Sequence, residues 1–181
     1  MKLKRLFDVV FSIVALLLLG WLIVLCFLIA TIETQSNGVF QQKRVGQFGR
    51  LFTIFKVKTF HPKTERVTFF GIYFRKYKLD ELPQFYNVLI GDMSVVGPRP
   101  DIEGYYDQLV GENRKILELK PGLTSDASLK YYNEDALLEQ QENALLYNDS
   151  VIFPDKIKMN LAYYYHRSFA IDLKIILKTI F

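Results

Sequence analysis

The stretch FRKYKLDELPQFYNVLIGDMSVVGPRP, residues 74–100, determines most of what this chain can be. Two adjacent carboxylates, Asp80 and Glu81, stand within it, with basic residues on either side. Apolar residues after the pair recur at i, i+3, i+4 and i+7. This spacing predicts a helix that begins with Asp80 as its N-cap and ends at Gly91. A Pro-Arg-Pro corner centred on Arg99 closes the segment.

The paired carboxylates admit two interpretations. Asp80 and Glu81 could serve the helix alone, because a cap and a negative charge both favour a helix N-terminus. A helix N-terminus also favours phosphate, but two carboxylates would repel that phosphate unless a divalent cation lay between them. Oxygen ligands of this kind suit Mg²⁺, and a carboxylate can also attack a phosphoryl group. The sequence therefore predicts phosphoryl chemistry, with both residues as catalytic groups and metal ligands.

Several cationic side chains could bind the phosphates of such a substrate. Arg99 is held between two prolines that restrict the backbone, and its planar guanidinium suits phosphate oxygens or a nucleobase edge. Each cation could equally be a solvated surface charge. The candidate substrate-binding residues are Lys56, Lys58, Arg75, Pro98, Arg99 and Pro100. The two histidines, His61 and His166, lie far apart in sequence and give little support to a histidine-based site.

A long apolar segment precedes the carboxylates. No residue from Val9 to Ile32 is charged, and the run is long enough to cross a hydrocarbon core of about 30 Å at about 1.5 Å per helical residue. It is too long for a cleaved signal peptide. Basic residues flank it on both sides, which fits a segment that enters the membrane and returns to the same face. A single-pass anchor with a weak charge bias remains the alternative.

The rest of the chain predicts a small catalytic domain that is mainly α with little β. We expect residues 1–35 to form the membrane-anchoring helix and residues 36–181 the catalytic domain. A short strand or a hairpin is predicted at Leu51–Val57, and helices at residues 102–119 and 133–146. Some helices should be amphipathic and lie at the membrane interface, as the tail from Ile171 suggests. The net charge of +4 is explained by the membrane segment better than by nucleic-acid binding.

These motifs resemble those of a known family, the monotopic phosphoglycosyl transferases. RKYKLDELPQFYNVLIGDMSVVGPRP resembles the family core almost residue for residue, and LELKPGLT the segment after it. KRLFDVVFS is similar to the entry into the family's membrane helix, and VFQQKRVGQFGRLFTIFKVKT to its first soluble segment. The resemblance therefore extends over nearly the whole chain. It departs at Gly20-Trp21, where family members often carry the Ser-Pro that turns the membrane helix back.

The resemblance implies a reaction and its participants. A nucleotide-activated sugar, usually a UDP-sugar, would give its phosphosugar to polyprenyl phosphate in the presence of Mg²⁺, with release of UMP. Asp80 would be the nucleophile and form a covalent phosphosugar intermediate, and Glu81 would assist with metal or proton handling. Arg99 and its prolines would contact the nucleotide, while Lys56 and Arg75 would hold phosphates. The catalytic domain would lie on the cytoplasmic face of a bacterial inner membrane.

Two other functions remain open from the residues alone. A metal-dependent phosphohydrolase acting on a lipid-linked or nucleotide diphosphate would use the same carboxylates without a lipid acceptor. A non-catalytic membrane scaffold would bind a nucleotide-sugar or a partner enzyme and release nothing.

Overall fold

The computed structural model describes residues 2–181, which fall into two compact units. The first unit contains residues 2–44 and Leu51–Met93, and the second contains Val45–Arg50 and Ser94–Phe181. Each unit has its own buried apolar cluster. The described residues are mainly helical with little strand, which confirms the predicted fold class.

The first unit begins with one long helix, α1 (Lys2–Thr34). Within residues 2–181 it is the one helix long and apolar enough to cross a membrane, with a mean hydropathy of 3.1 over its most apolar 18 residues. Only 17% of those residues are buried. The helix continues without a break through Gly20, where an added Cβ would meet no atom within 4 Å. Packing therefore does not require a glycine at that position.

Short elements build the remainder of the first unit. They are β1 (Val39–Val45), β2 (Leu51–Val57), α2 (Phe69–Lys76) and α3 (Gln84–Ile90). The strands pair in a two-stranded sheet, and β2 is the strand predicted from the sequence. Cys26 and Ala30 of α1 pack with Val57 and Phe74 in the apolar cluster of this unit. The membrane-type helix therefore supplies part of the core against which the other elements fold.

Both ends of α1 are bonded to that unit. Near its start, the Arg5 guanidinium donates to the carbonyl oxygens of Val88, at 2.6 Å, and Leu89, at 2.7 Å. These carbonyls lie in the last turn of α3, where the helix dipole attracts cations, and the Val88 carbonyl also accepts from the Gly91 N–H at 3.1 Å. Near the end of α1, the Glu33 carboxylate accepts a hydrogen bond from the Phe70 N–H at 3.2 Å.

The second unit contains a two-stranded parallel pair and five helices. Strands β3 (Ser94–Val96) and β4 (Gly122–Thr124) place Ser94 opposite Gly122. The helices are α4 (Asp126–Lys130), α5 (Glu134–Glu139), α6 (Ala144–Tyr147), α7 (Phe153–His166) and α8 (Phe169–Ile180). The longest of them, α7, packs Phe153, Ile157 and Leu161 against the apolar cluster of the unit.

Two glycines bring backbones into contact beside this strand pair. The Gly122 N–H donates to the carbonyl oxygen of Pro98 at 2.8 Å, and the Gly97 N–H to that of Thr124 at 3.0 Å. A Cβ added to Gly122 would lie 2.1 Å from the Gly97 nitrogen. Since real Cβ atoms do not approach so closely, only glycine permits this backbone contact.

Two predicted helices of the second unit are wrong in part. The predicted helix at residues 102–119 is replaced by two 3₁₀ segments, Tyr106–Gln108 and Gly111–Glu118. Gly104 and Gly111 adopt left-handed conformations, with φ of +101° and +58°, which interrupt a continuous α-helix. The predicted acidic helix is divided into α5 and α6. The predicted C-terminal helix is present as α8.

Candidate active site

The adjacent carboxylates lie on a single 3₁₀ turn, Leu79–Glu81, between α2 and α3. Lys78 precedes the turn in the left-handed conformation, with φ of 55°, and so reverses the chain after α2. The predicted N-cap role of Asp80 is wrong, because α3 begins at Gln84 and Pro83 occupies the N-cap position. The predicted helix end is correct, since Gly91 is the left-handed C-cap. Asp80 therefore does not cap this helix.

Asp80 is a buried carboxyl whose side chain is incompletely satisfied. The residue is 7% exposed, and its Oδ1 atom has no hydrogen-bond partner. Burial raises the pKa of the Asp80 carboxyl above its ordinary value, and the neighbouring charge of Glu81 adds to the rise. The positive charges of Lys56, Lys78 and Arg75 lower the pKa and partly oppose that rise. Buried polar atoms without partners are rare, and a catalytic role or a bound water or ion is among the explanations for them.

Two of the predicted cations are held close to this turn. The Lys56 ammonium on β2 lies 2.9 Å from Glu81 Oε1, in an ion pair with most of both side chains removed from solvent. The Nε of Arg75 on α2 donates to Thr59 Oγ1 at 2.8 Å, and Thr59 is itself buried. The structure therefore brings together Asp80, Glu81, Lys56 and Arg75 from three elements of the first unit.

Lys58 has a different surrounding. Its ammonium donates to Ser36 Oγ at 3.0 Å, just beyond the end of α1. The hydroxyls of Ser36 and Thr34 are 3.0 Å apart, and Thr34 bonds in turn to the Ala30 carbonyl. Lys58 thus belongs to a hydroxyl cluster at the end of the apolar helix, not to the ion pair at Glu81.

The Pro-Arg-Pro corner belongs to the second unit. Pro98, Arg99 and Pro100 line a small cavity together with Val45, Gly46, Tyr106, Ile116, Leu117, Leu119 and Pro121. The hydrogen bond from the Gly122 N–H to the Pro98 carbonyl fixes the backbone immediately before Arg99. The corner is therefore held rigidly by main-chain contacts, as the two prolines predicted.

The carboxylates fit a magnesium site completed by a substrate. Among residues 2–181, no group of three or more His, Cys, Asp or Glu side chains is placed to hold a metal ion. Mg²⁺ at phosphate-transfer sites is commonly bound by one or two carboxylates together with substrate phosphates and water. Asp80, with an unbonded buried oxygen, and the adjacent Glu81 supply that smaller set.

The sequence reasoning missed two residues around the turn. Thr59 orients Arg75, and Lys78 contributes a positive charge that lowers the pKa of Asp80. Lys78 could have been found from its position two residues before Asp80. Thr59 gave no comparable signal, because its role depends on a contact with a residue 16 positions away.

Several known sugar transferases are similar to this chain. The chain is 32% identical to the galactosyl transferase CpsE of Streptococcus agalactiae, over 98% of this chain and 41% of that protein. It is 31% identical to the uncharacterized sugar transferase EpsL of Bacillus subtilis, over 99% of this chain and 86% of that protein. It is 32% identical to the UDP-glucose:undecaprenyl-phosphate glucose-1-phosphate transferase of Klebsiella pneumoniae, over 100% of this chain and 40% of that protein.

The chain thus spans about two fifths of the length of two of these relatives and most of the length of the third. The sequence model of one family, described as bacterial sugar transferase, matches residues 1–181. Together with the relatives, this match confirms the resemblance on which the catalytic assignment was based: the chain belongs to the bacterial sugar transferase family.

Proposed function

We propose that this protein transfers a sugar-1-phosphate from a UDP-sugar to undecaprenyl phosphate. The products would be undecaprenyl-diphosphate-sugar and UMP. The observation that carries the proposal is the buried Asp80 carboxyl, with one unbonded oxygen, next to Glu81 and in the field of Lys56, Lys78 and Arg75. Relatives named for transfer from UDP-glucose or UDP-N-acetylgalactosamine to undecaprenyl phosphate support this choice of donor and acceptor.

In the first step, an Asp80 carboxylate oxygen attacks the phosphorus that carries the sugar. A bond forms between that oxygen and phosphorus, the bond from phosphorus to the UMP oxygen breaks, and UMP leaves with the electron pair. The nearby lysines and Arg75 stabilise the negative charge that develops on the phosphoryl oxygens. The raised pKa of Asp80 increases the basicity, and hence the reactivity, of its ionised form.

In the second step, a phosphate oxygen of the carrier lipid attacks the same phosphorus. The bond to Asp80 breaks, the diphosphate bond forms, and the Asp80 carboxylate is regenerated. Charge balances in both steps when UMP leaves, and the carrier phosphate reacts, as a dianion. Glu81 would accept a proton if the carrier phosphate arrived as a monoanion. Asp80 and Glu81 would hold Mg²⁺, which would supply neutralisation of the phosphate charge.

The test is UMP release by the purified protein with Mg²⁺, undecaprenyl phosphate and a panel of UDP-sugars. Acceptor-dependent release that is lost in Asp80→Asn supports the transfer and identifies the sugar. Continuous UMP release without the acceptor, beyond the one equivalent per protein that the covalent step frees, indicates the phosphohydrolase instead. Binding of a UDP-sugar without any release indicates a scaffold.

The covalent step has its own test. Incubation with a UDP-sugar in the absence of acceptor, followed by intact-mass measurement, should add the mass of one phosphosugar to the wild-type chain. The adduct should be absent from Asp80→Asn and should disappear when undecaprenyl phosphate is added. Transfer without any such adduct would exclude the aspartyl intermediate.

We also propose that α1 enters the membrane from the cytoplasmic face and returns to it. The bonds of Arg5 and Glu33, near opposite ends of α1, to residues of one compact unit support this topology. A straight spanning helix would place its ends on opposite sides of a hydrocarbon core of about 30 Å, so this topology requires α1, which is helical throughout, to bend within the membrane. In a Cys26→Ser background, cysteines at the exposed positions Lys2 and Lys43 should be labelled from the same side of sealed vesicles. Labelling from opposite sides would mean a spanning helix.

A further inference from the structure

Asn87 is a fully buried polar residue on α3 that was not among the predicted site residues. It is 0% exposed, yet both ends of its amide are bonded to the main chain of β2. Its Nδ2 donates to the Thr53 carbonyl oxygen at 2.7 Å, and its Oδ1 accepts from the Phe55 N–H at 3.2 Å. The sheet has two strands, so the Asn87 amide satisfies main-chain groups of β2 that have no further strand beside them.

These two hydrogen bonds lie next to Lys56, which pairs with Glu81 on the turn Leu79–Glu81. Phe55 is followed directly by Lys56, whose ammonium lies 2.9 Å from Glu81. Glu81 lies on the turn that leads into α3, the helix that carries Asn87. Strand β2 is therefore bonded to α3 through the Asn87 amide and to the turn Leu79–Glu81 through Lys56.

The main chain of Asn87 is also held in place, by hydrogen bonds at the end of α3. The Asn87 carbonyl oxygen accepts hydrogen bonds from the N–H groups of Gly91, Asp92 and Met93. Met93 is itself fully buried. A residue bonded in this way has little freedom to shift, and groups that orient an active-site side chain are commonly held by such secondary contacts.

We propose that Asn87 is a positioning residue that fixes β2 so that Lys56 stays paired with Glu81 beside Asp80. The inference rests on the proposed function for its effect on turnover, but the position of Lys56 can be tested without turnover. Loss of the two amide bonds would let β2 move away from α3 and carry the Lys56 ammonium with it. The Lys56 ammonium would then become accessible to solvent.

The first test is lysine acetylation measured by peptide mass spectrometry. Lys56 and Lys156 are matched, since their side chains are 18% and 17% exposed and each lies in an ion pair. In Asn87→Ala, the Lys56 rate should rise about fivefold relative to Lys156, the factor expected for loss of such a pair. Asn160→Ala is the control, because Asn160 is also buried and donates to Tyr106 in the second unit. An unchanged ratio in Asn87→Ala, or an equal rise in the control, would overturn the proposal.

A second variant guards against misfolding. Asn87→Asp keeps the side-chain volume and the acceptor for the Phe55 N–H, but its carboxylate cannot donate to Thr53. The Lys56 ratio should rise in this variant too, by a smaller factor. An unchanged ratio in the folded aspartate variant would count against the proposal as it does for alanine.

Turnover gives the second measurement. Movement of Lys56 away from the turn should lower kcat for UMP release more than it raises KM, since the Lys56 ammonium would stabilise charge that develops on the phosphoryl group. An unchanged kcat in Asn87→Ala, while the acetylation ratio rises, would separate the position of Lys56 from catalysis. A protein without transferase activity would leave the acetylation result as the deciding one.

Discussion

The turn that carries Asp80 in the first unit and the strand pair beside Arg99 in the second unit differ in how their buried groups are bonded. The Asp80 carboxyl is buried with one oxygen that has no hydrogen-bond partner. Beside Arg99, close main-chain contacts hold Gly97 against Gly122, and the Gly122 N–H donates to the Pro98 carbonyl oxygen. Substitution of Asp80 should therefore change activity most, and substitution of Gly122 should change stability most.

Asp80→Asn should give the largest change in activity. Loss of the nucleophile should reduce turnover by about 10³-fold or more, measured as acceptor-dependent UMP release. The same change should raise the free energy of unfolding by about 1 kcal/mol at pH 8 in the presence of EDTA, because it removes a buried charge. Measurable turnover by the purified variant would contradict the role of Asp80 as nucleophile.

The stability effect of Asp80→Asn should depend on pH with a definite sign. Since the pKa of Asp80 is raised in the folded protein, stability is greatest below the pKa of the unfolded chain and falls as pH rises through the folded pKa. The advantage of the variant should therefore shrink as pH falls towards about 4, the pKa of an unperturbed Asp. Thermal unfolding from pH 4 to 8 measures this, and a constant advantage would argue against a raised pKa.

Gly122→Ala should give the largest loss of stability. The new Cβ would overlap the Gly97 backbone, and relief of that overlap should cost about 3 kcal/mol and displace the corner that holds Arg99. Gly20→Ala is the matched control, because a Cβ there meets nothing within 4 Å and α1 is helical throughout. Thermal unfolding in detergent compares the two. Equal stability of both variants would show that the strand contact can relax.

Lys56→Met should change catalysis more than stability. Without its positive charge, the pKa of Asp80 should rise, and the acid limb of kcat/KM should move up by about one pH unit. Lys156→Met is matched in burial and pairing, since Lys156 lies 2.6 Å from Glu134 in the second unit. In Lys156→Met, the acid limb of kcat/KM should stay at its wild-type pH. A similar shift in both variants would mean that the effect is not local to the carboxylates.

Lys178→Met should have the smallest effect. The Lys178–Asp126 pair is half exposed, and pairs of this kind contribute about 0.5 kcal/mol or less. Thermal unfolding at low and high salt should give nearly the same difference from wild type. A loss above about 2 kcal/mol would show that the second unit depends on its surface charges far more than such pairs normally allow.

The parts of the structure that the sequence predicted are those controlled by local pattern. The β-forming residues of Leu51–Val57 predicted β2, and Gly91 predicted the end of α3, because both signals act over a few residues. The segment after the Pro-Arg-Pro corner was predicted as a helix because its apolar spacing suits one. Gly104 and Gly111 interrupt it through left-handed conformations that spacing does not register.

In the candidate site, too, the residues in a local motif could be predicted, and those that depend on distant contacts could not. Asp80 and Glu81 could be identified from their adjacency and the motif around them. The strand pair of Ser94–Val96 with Gly122–Thr124 could not, because each strand is three residues long and its partner lies more than 20 positions away. Asn87 was missed for a related reason. Within an amphipathic helix one asparagine is unremarkable, and its importance comes from bonds to Thr53 and Phe55.

The two-ended attachment of α1 also has a practical consequence for anyone who wishes to purify this enzyme without detergent. Deleting α1 would remove Cys26 and Ala30 from the apolar cluster and expose Val57 and Phe74 to water. It would also leave the last turn of α3 without the guanidinium that covers its carbonyls. Residues 36–181 expressed alone should therefore aggregate, whereas the whole chain in nanodiscs should give a folded sample. In preparative terms, α1 is part of the folded unit that carries Asp80 and not a removable tether.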